Sequence, residues 1–272
     1  RCFMQLIDIG VNLSSKRFSA DIEDVLQRAQ DAGVSQLVLT GTSVAESEAV
    51  LALCEQHSSQ FPGMLFATCG IHPHDAQSLN NESMDRLRGL ANHQQVVAVG
   101  ETGLDFNRNL SSPKAQELAF EAQLELAIEL KMPLFMHERD ASRRQLEILG
   151  SYRDQFSQGV IHCFTGDKKT LFSYLDMDLH IGITGWVCDE RRGIELQKIV
   201  HNIPLERLMI ETDAPYLLPR NMPTPPKGKR NEPAFLEYVL SGIAAVRQET
   251  PEQIAAATSA TARGFFSLDG SI

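Results

Sequence analysis

The stretch Val96-Val97-Ala98-Val99-Gly100-Glu101 decides the fold, because it is an apolar run that ends abruptly in a carboxylate. A run of about four to six Val, Ile, Leu or Phe residues is typical of a strand buried in a parallel sheet. Four further runs also end in residues that bind divalent metals: Cys69 to His74, Phe135 to His137, Val160 to His162 and Met209 to Asp213. In an α/β barrel, the carboxyl ends of the strands converge on one face. The pattern therefore predicts a barrel with a metal site for hydrolysis on that face.

Strand-like runs alternate with amphipathic helical segments along the whole chain. Eight runs have strand character: Leu6 to Val11, Leu37 to Leu39, Leu65 to Ile71, Val96 to Val99, Leu134 to Met136, Val160 to Ile161, Ile181 to Ile183 and Leu208 to Ile210. Apolar residues recur at helical spacing in Ala20 to Ala32, Val44 to His57, Pro113 to Leu130, Arg191 to His201, Glu232 to Arg247 and Pro251 to Phe266. Repeated strand and helix units predict a parallel sheet with right-handed crossovers. Eight such units, without a glycine-rich phosphate motif, predict a single-domain (β/α)8 TIM barrel over residues 4–268, with the last helical segments covering its outer wall and bottom.

The composition of the 272 residues, 43% of them hydrophobic, fits one large core in a reducing compartment. The five cysteines lack C-x-x-C spacing, which argues against a disulfide framework or a thiolate zinc site. No apolar run approaches the roughly 18 residues of a membrane span, so we expect a cytoplasmic protein with no membrane contact and no obligate protein partner. The formal charge of −10 argues against a broad basic surface for duplex nucleic acid. Carboxylates that face cations contribute to this charge, so binding to DNA is not excluded.

Glu101, His137 and His162 carry the main prediction of a metal site. Glu101 can bridge two cations, and the alternative is a capping or ion-paired glutamate. Asp105 follows in the same loop and could equally shape that loop. His137 and His162 end neighbouring strands, which favours metal ligands over hydrogen-bonded core histidines. The other histidines lie at strand starts or on helices and are expected to have no chemical role: His57, His93, His180 and His201.

Further polar residues follow the third and eighth runs. Glu211 and Asp213 are two positions apart and therefore on one face. Asp213 could ligate a cation and also take a proton from its water, and the alternative for both carboxylates is pairing with arginines. His72 could position a phosphate or bind metal, whereas His74 could instead cap the following segment.

Four stretches form a recognisable set: Gly70-Ile71-His72-Pro73-His74, Gly100-Glu101-Thr102-Gly103-Leu104-Asp105, His162-Cys163-Phe164-Thr165-Gly166 and Glu211-Thr212-Asp213-Ala214-Pro215-Tyr216. With them the chain resembles the TatD family of metal-dependent deoxyribonucleases, a branch of the amidohydrolase-like barrels, from Asp8 to Gly264. The resemblance implies that Glu101, His137, His162 and Asp213 are metal ligands. It also implies His72 and Glu211 as further site residues, and magnesium-dependent hydrolysis of DNA from the 3′ end.

The first strand departs from the pattern of this superfamily. Its barrels commonly have His-x-His at this point, where the chain has Gly10 and Asn12. Asp8 and Asn12 are expected to share a face, with Gly10 between them. An amide oxygen favours hard cations such as Mg²⁺ over Zn²⁺. We therefore expect one firmly bound Mg²⁺ and a second cation that arrives with substrate, with Mn²⁺ or Zn²⁺ as alternatives.

The densest basic segment follows the eighth run and is expected to hold nucleic acid. Arg220, Lys227, Lys229 and Arg230 could follow the phosphates of a strand, and the alternative is a solvated loop. Candidates for stacking on a base, or for packing the rim, are Phe106, Trp186 and Tyr216.

The sequence thus predicts a metal-dependent 3′-to-5′ exonuclease of single-stranded or damaged DNA ends, with RNA ends as further substrates. Its predicted catalytic residues are Asp213, Glu101, His72 and Glu211. One rival is a small-molecule amidohydrolase or lactonase on the same metal site. Another is a barrel that has lost catalysis and serves as a binding protein. The basic segment favours a phosphate substrate and so argues against the small-molecule hydrolase. The retained set of metal ligands argues against the non-catalytic barrel.

Overall fold

The structure, a computed structural model, describes residues 4–268, so residues 1–3 and 269–272 lie outside the described part. Within it, eight parallel strands follow one another around a sheet in chain order. The strands are β1 (Leu6–Val11), β2 (Val34–Leu39), β3 (Leu65–Cys69), β4 (Val96–Asp105), β5 (Leu134–Arg139), β6 (Gly159–Ile161), β7 (His180–Ile183) and β8 (Leu208–Ile210). Each predicted run coincides with a strand, which confirms the predicted TIM barrel.

Helices connect the strands and cover the outside of the barrel. In the described residues they are α1 (Ile22–Asp31), α2 (Val44–His57), α3 (Asn81–Ala91), α4 (Pro113–Leu130), α5 (Ser142–Tyr152), α6 (Lys168–Asp176), α7 (Ile194–Ile199), α8 (Leu236–Ala244) and α9 (Pro251–Phe266). Helix α4 begins at Pro113, and the Ser112 hydroxyl accepts a hydrogen bond from the N–H of Ala115, as expected for an N-cap. The segment predicted from Glu232 to Arg247 is shorter in the structure, since a 3-10 turn over Pro233–Phe235 precedes α8. None of these helices is long and apolar enough to cross a membrane.

The first and last strands meet at the carboxyl end of the barrel. Val11 forms a parallel bridge with Ala214, and the N–H of Asn12 donates to the carbonyl of Ala214 at 2.8 Å. The N–H of Asp213 donates to the carbonyl of Gly10 at 2.9 Å. The barrel is therefore closed beside the polar strand ends.

Apolar side chains fill the lower part of the barrel. Strand residues that point inward, such as Ile9, Phe66 and Phe135, form one buried cluster with Phe265 and Phe266 of α9. This confirms that the last helix closes the bottom. Each fully buried side chain of this size stabilises the fold by ~1.5–3 kcal/mol. The apolar packing below leaves polar groups to the upper end.

Candidate metal centre

Imidazole nitrogens from three strand ends surround one oxygen of Glu101. Its Oε1 lies 2.6 Å from Nε2 of His162, 3.1 Å from Nδ1 of His137 and 3.3 Å from Nε2 of His72. Glu101 is only 5% exposed, so this carboxylate is almost removed from solvent. The structure therefore brings together the three residues that carried the sequence prediction and adds His72 to them.

Strand β4 continues through Glu101 to Asp105, well past the predicted apolar run. Its polar end is held by pairing with β5, where Gly103 lies opposite His137. Gly103 has a φ of +127°, and a Cβ there would lie 2.0 Å from the carbonyl oxygen of His137. Only glycine allows this close approach of the two backbones. The approach places His137 beside Glu101.

Buried glutamines hold the loops that carry the site, and sequence reasoning missed them. Gln123 of α4 accepts from the N–H of Ile71 at 2.7 Å and donates to its carbonyl at 3.0 Å. Gln116 makes the same pair of bonds with Asp105, at 2.8 and 3.0 Å. Both amides are fully buried, and an unpaired buried amide would be costly. A glutamine on the apolar face of the predicted helix was the available signal.

The charges of the centre are strongly coupled. Burial acts to raise the pKa of Glu101, but the imidazoles of His162 and His72 outweigh it and hold that pKa well below its usual range. Burial likewise opposes protonation of His162, yet Glu101 and Glu211 raise its pKa well above the usual value. For His72, burial prevails and lowers the pKa. The cluster is thus a buried carboxylate compensated by imidazoles.

Glu211 and Asp213 have different surroundings, although they were expected on one face. Glu211 is fully buried, with Oε2 3.3 Å from Nδ1 of His162 and Oε1 accepting from the N–H of Cys163. Asp213 lines the cavity, and its Oδ1 accepts from Nδ2 of Asn12 at 2.9 Å. Burial, with the negative charges of Glu211 and Glu101, raises the pKa of Asp213 to about 7.

The end of β1 offers an amide and no imidazole. Between Asp8 and Val11 the register with β2 shifts, and the two polar side chains find different partners. Asp8 accepts from the N–H of Thr212 at 2.9 Å, and burial raises its pKa to about 8, whereas Asn12 contacts Asp213. A Cβ at Gly10 would lie 2.2 Å from Oε2 of Glu211. Glu211 therefore leaves no room for a side chain at position 10, where the superfamily pattern has the first histidine of His-x-His.

A cavity of about 860 Å³ opens above the centre. Asn12, His72, His74, Glu101, His137, His162, Cys163, Asp213 and Tyr216 are among the residues that line it. The arginines among its described lining residues are Arg108 and Arg139. Arg139 lies over the ring of Trp186, 5.6 Å from its centroid. Arg139 is the last residue of β5 and Arg108 lies three positions after β4, so closeness to a polar strand end was the signal that could have identified them.

The predicted basic residues lie elsewhere, since the described residues that line the cavity include none of them. Arg220 pairs with Glu190 at 2.7 Å. Arg230 pairs with Asp21 and Glu232, each at 2.7 Å. Lys227 and Lys229 are exposed. Two of the four predicted basic side chains, Arg220 and Arg230, are thus already paired with carboxylates.

The donors present fit a divalent cation. One nitrogen each of His72 and His137 and one oxygen of Glu101 lie within 4.8 Å of one another. Imidazole and carboxylate are common ligands of divalent metals. His162 contacts the same carboxylate oxygen, and Asp213 faces the same cavity. The described residues therefore contain a possible metal site, and His72 lies within it beside the predicted ligands.

Residues 7–267 match the family described as TatD related DNase. The chain belongs to this family. TatD relatives named "3'-5' ssDNA/RNA exonuclease TatD" include that of Salmonella typhimurium, 48% identical over 97% of this chain and 99% of its own length. That of Citrobacter koseri has the same identity and the same coverage.

Solved TatD structures have the same fold. YJJV, a TatD homolog from Escherichia coli, superposes with a TM-score of 0.86 at 27% identity and covers 97% of this chain and 99% of its own. A TatD family hydrolase from Entamoeba histolytica gives 0.89 at 25% identity, over 97% of this chain and 98% of its own. The resemblance seen in the sequence is confirmed over nearly the whole chain.

Proposed function

We propose that this protein is a divalent-metal-dependent exonuclease that removes nucleotides from the 3′ end of single-stranded or damaged DNA and of RNA. The observation that carries the proposal is the convergence of His72, His137 and His162 on one buried oxygen of Glu101, at the floor of an open cavity. Relatives at 48% identity bear the name of a 3'-5' ssDNA/RNA exonuclease, which supports the substrate.

The proposed cofactor is Mg²⁺, held by Glu101, His137, His162 and Asp213, with Mn²⁺ or Zn²⁺ as alternatives. When bound, the cation supplies Lewis-acid stabilisation of the phosphate and a more acidic water. Asp213 acts as general base, because it faces the cavity and Asn12 fixes one of its oxygens. Glu211 orients His162 through Nδ1.

Arg108 and Arg139 are the proposed phosphate contacts inside the cavity. Nε of Arg139 is buried without a hydrogen-bond partner among the described residues, although the side chain lines the cavity. A buried unpaired donor favours an anionic partner. Tyr216, which is 54% exposed at the rim, is placed to stack on a base. Lys227 and Lys229 would contact the strand farther out, whereas Arg220 and Arg230 keep their ion pairs.

The proposed compartment is the reducing cytoplasm. Cys54, Cys69, Cys163 and Cys188 are free thiols in the described part of the chain, which supports this placement.

The test is degradation of oligonucleotides labelled at the 3′ or the 5′ end, with Mg²⁺, Mn²⁺ or EDTA. We expect stepwise loss from the 3′ end, abolished by EDTA, by Asp213→Asn and by Glu101→Ala. Asp85→Asn is the control, because this carboxylate lies exposed on α3. If the protein binds metal but leaves the oligonucleotides intact, the proposal is contradicted. The small-molecule hydrolase is then favoured, and a panel of lactones would test it. Absence of metal binding by calorimetry would favour a non-catalytic barrel.

A further inference from the structure

The two nitrogens of His137 face two different carboxylates. Nδ1 lies 3.1 Å from Oε1 of Glu101, and Nε2 lies 3.2 Å from Oδ2 of Asp105. A neutral imidazole has one N–H and one lone pair, and only the lone pair can bind a metal ion. The position of the proton therefore decides whether His137 can act as a ligand on the side of Glu101.

The acceptor positions of Asp105 are filled by donors. Oδ1 accepts from the N–H groups of Asn107 at 3.1 Å and Arg108 at 3.0 Å. Oδ2 lies 2.7 Å from Nε2 of His74 and 3.2 Å from Nε2 of His137. An ionised carboxylate can only accept hydrogen bonds. The contacts of both imidazoles with Oδ2 have hydrogen-bond geometry, so each ring donates an N–H at Nε2. Nδ1 of His137 approaches Glu101 at an ion-pair distance without such geometry, which leaves its lone pair directed at that carboxylate and at a cation held there.

His72 offers a contrast within the same cluster. Its Nδ1 accepts from the backbone N–H of His74 at 3.0 Å. The neutral ring therefore has its proton on Nε2, the nitrogen that lies 3.3 Å from Glu101. The N–H of His72 therefore faces this carboxylate, at a distance close to the 3.1 Å of His137. The two histidines lie at similar distances from Glu101, so distance does not distinguish their roles. The hydrogen-bond partner of the other ring nitrogen decides whether the ring can bind a metal ion or instead presents an N–H.

We propose that Asp105 is a positioning residue that holds His137 in the Nε2–H form, so that Nδ1 is free to bind the metal ion. This inference rests on the ligands of the proposed function. Outer carboxylates that fix the tautomer of a ligand histidine commonly change metal affinity by about 10- to 100-fold when they are mutated. Asp105 is 3% exposed and is well suited to this task, because its carboxylate is held on both sides.

A purely structural role for Asp105 makes a different prediction. The backbone at Asp105 is already held by Gln116, which bonds both its N–H and its carbonyl. Asp105→Asn keeps an oxygen to accept from the N–H groups of Asn107 and Arg108. The amide N–H₂ would then face Nε2 of His137 and favour the opposite tautomer. This variant therefore changes the tautomer while it preserves the loop.

The experiment uses protein labelled with ¹⁵N-histidine, and His137→Gln assigns the signal. Spectra of the metal-free protein at alkaline pH, where the ring is neutral, report which nitrogen carries the proton. Calorimetry with Mn²⁺ measures affinity. We expect the Nε2–H form in wild type, and the Nδ1–H form with about 10- to 100-fold weaker Mn²⁺ binding in Asp105→Asn. The control is Glu138→Gln, which removes the neighbouring carboxylate of β5, bonded to the N–H of Ala141 and the hydroxyl of Tyr174.

Three results would overturn the inference. The first is an Nδ1–H form of His137 in wild type, a result that does not depend on the stability of any variant. The second is an unchanged tautomer in Asp105→Asn with Mn²⁺ affinity within twofold of wild type. The third is weaker binding without a change of tautomer, which would indicate a structural role. These readouts contain no nucleic acid, so a failure of the exonuclease assay and a failure of this inference are distinguishable.

Discussion

Replacement of Gly10 by alanine should damage both the site and the stability of the barrel. The added Cβ would lie 2.2 Å from Oε2 of Glu211, whereas ordinary contacts begin near 3.4 Å, so the carboxylate must move by about 1 Å. Glu211 cannot move freely, because His162 and the N–H of Cys163 hold it. Each charge-assisted hydrogen bond is worth ~1.5–3 kcal/mol. We expect Gly10→Ala to lower the free energy of unfolding by ~2–4 kcal/mol.

Urea unfolding of the purified variant measures this loss, and calorimetry with Mn²⁺ measures the accompanying loss of metal affinity. Gly89→Ala is the matched control, since no atom lies within 4 Å of the added Cβ in helix α3. This control should gain ~0.5–1 kcal/mol from the higher helix propensity of alanine. The double variant Gly10→Ala/Glu211→Ala should lose less than the sum of its single variants, because the clash is then absent.

The reasoning would be refuted if Gly10→Ala unfolded at the urea concentration of wild type and bound Mn²⁺ equally well. Strict additivity in the double variant would refute it as well. Either result would mean that Glu211 does not constrain the side chain at position 10.

Three other predictions concern separate parts of the molecule. Burial lowers the pKa of His180 to about 4, so the unfolded state binds a proton at a higher pH than the folded state does. The contribution of His180 to stability should therefore be constant above about pH 6.5 and fall by up to roughly 3 kcal/mol toward pH 4, and the difference in the free energy of unfolding between wild type and His180→Gln, from urea unfolding at each pH, measures it. Arg139→Gln should raise the KM for an oligonucleotide by about tenfold or more, whereas Arg220→Gln should leave it within about twofold in steady-state assays. Phe266→Ala should cost ~3–5 kcal/mol in thermal or urea unfolding, because it empties part of the barrel floor.

The sequence was sufficient for the barrel and for the centre of the site. Buried parallel strands are nearly continuous apolar runs, so their ends can be located without any tertiary information. Glu101, His137 and His162 each follow such an end, and the structure places them around one oxygen.

Other features depended on tertiary contacts that no local pattern encodes. The register shift between Asp8 and Val11 gives Asp8 and Asn12 different partners, and a shift of this kind leaves no mark in residue spacing. The sequence around Arg230 gives no sign of its ion pair, because its partner Asp21 lies 209 positions away. The tautomers of His72 and His137 are likewise set by groups that meet only in the folded barrel.

The closure between β1 and β8 has a consequence for the synthesis of the chain. Asn12 and Asp213, which meet there, are separated by 201 positions, so the first strand leaves the ribosome long before its partner exists. A nascent chain that ends before β8 already contains Glu101, His137 and His162, yet it lacks both Asp213 and the contact that completes the barrel. With Asp213 in its proposed role, hydrolytic competence therefore arises only once β8 and the segment that follows it have been synthesised.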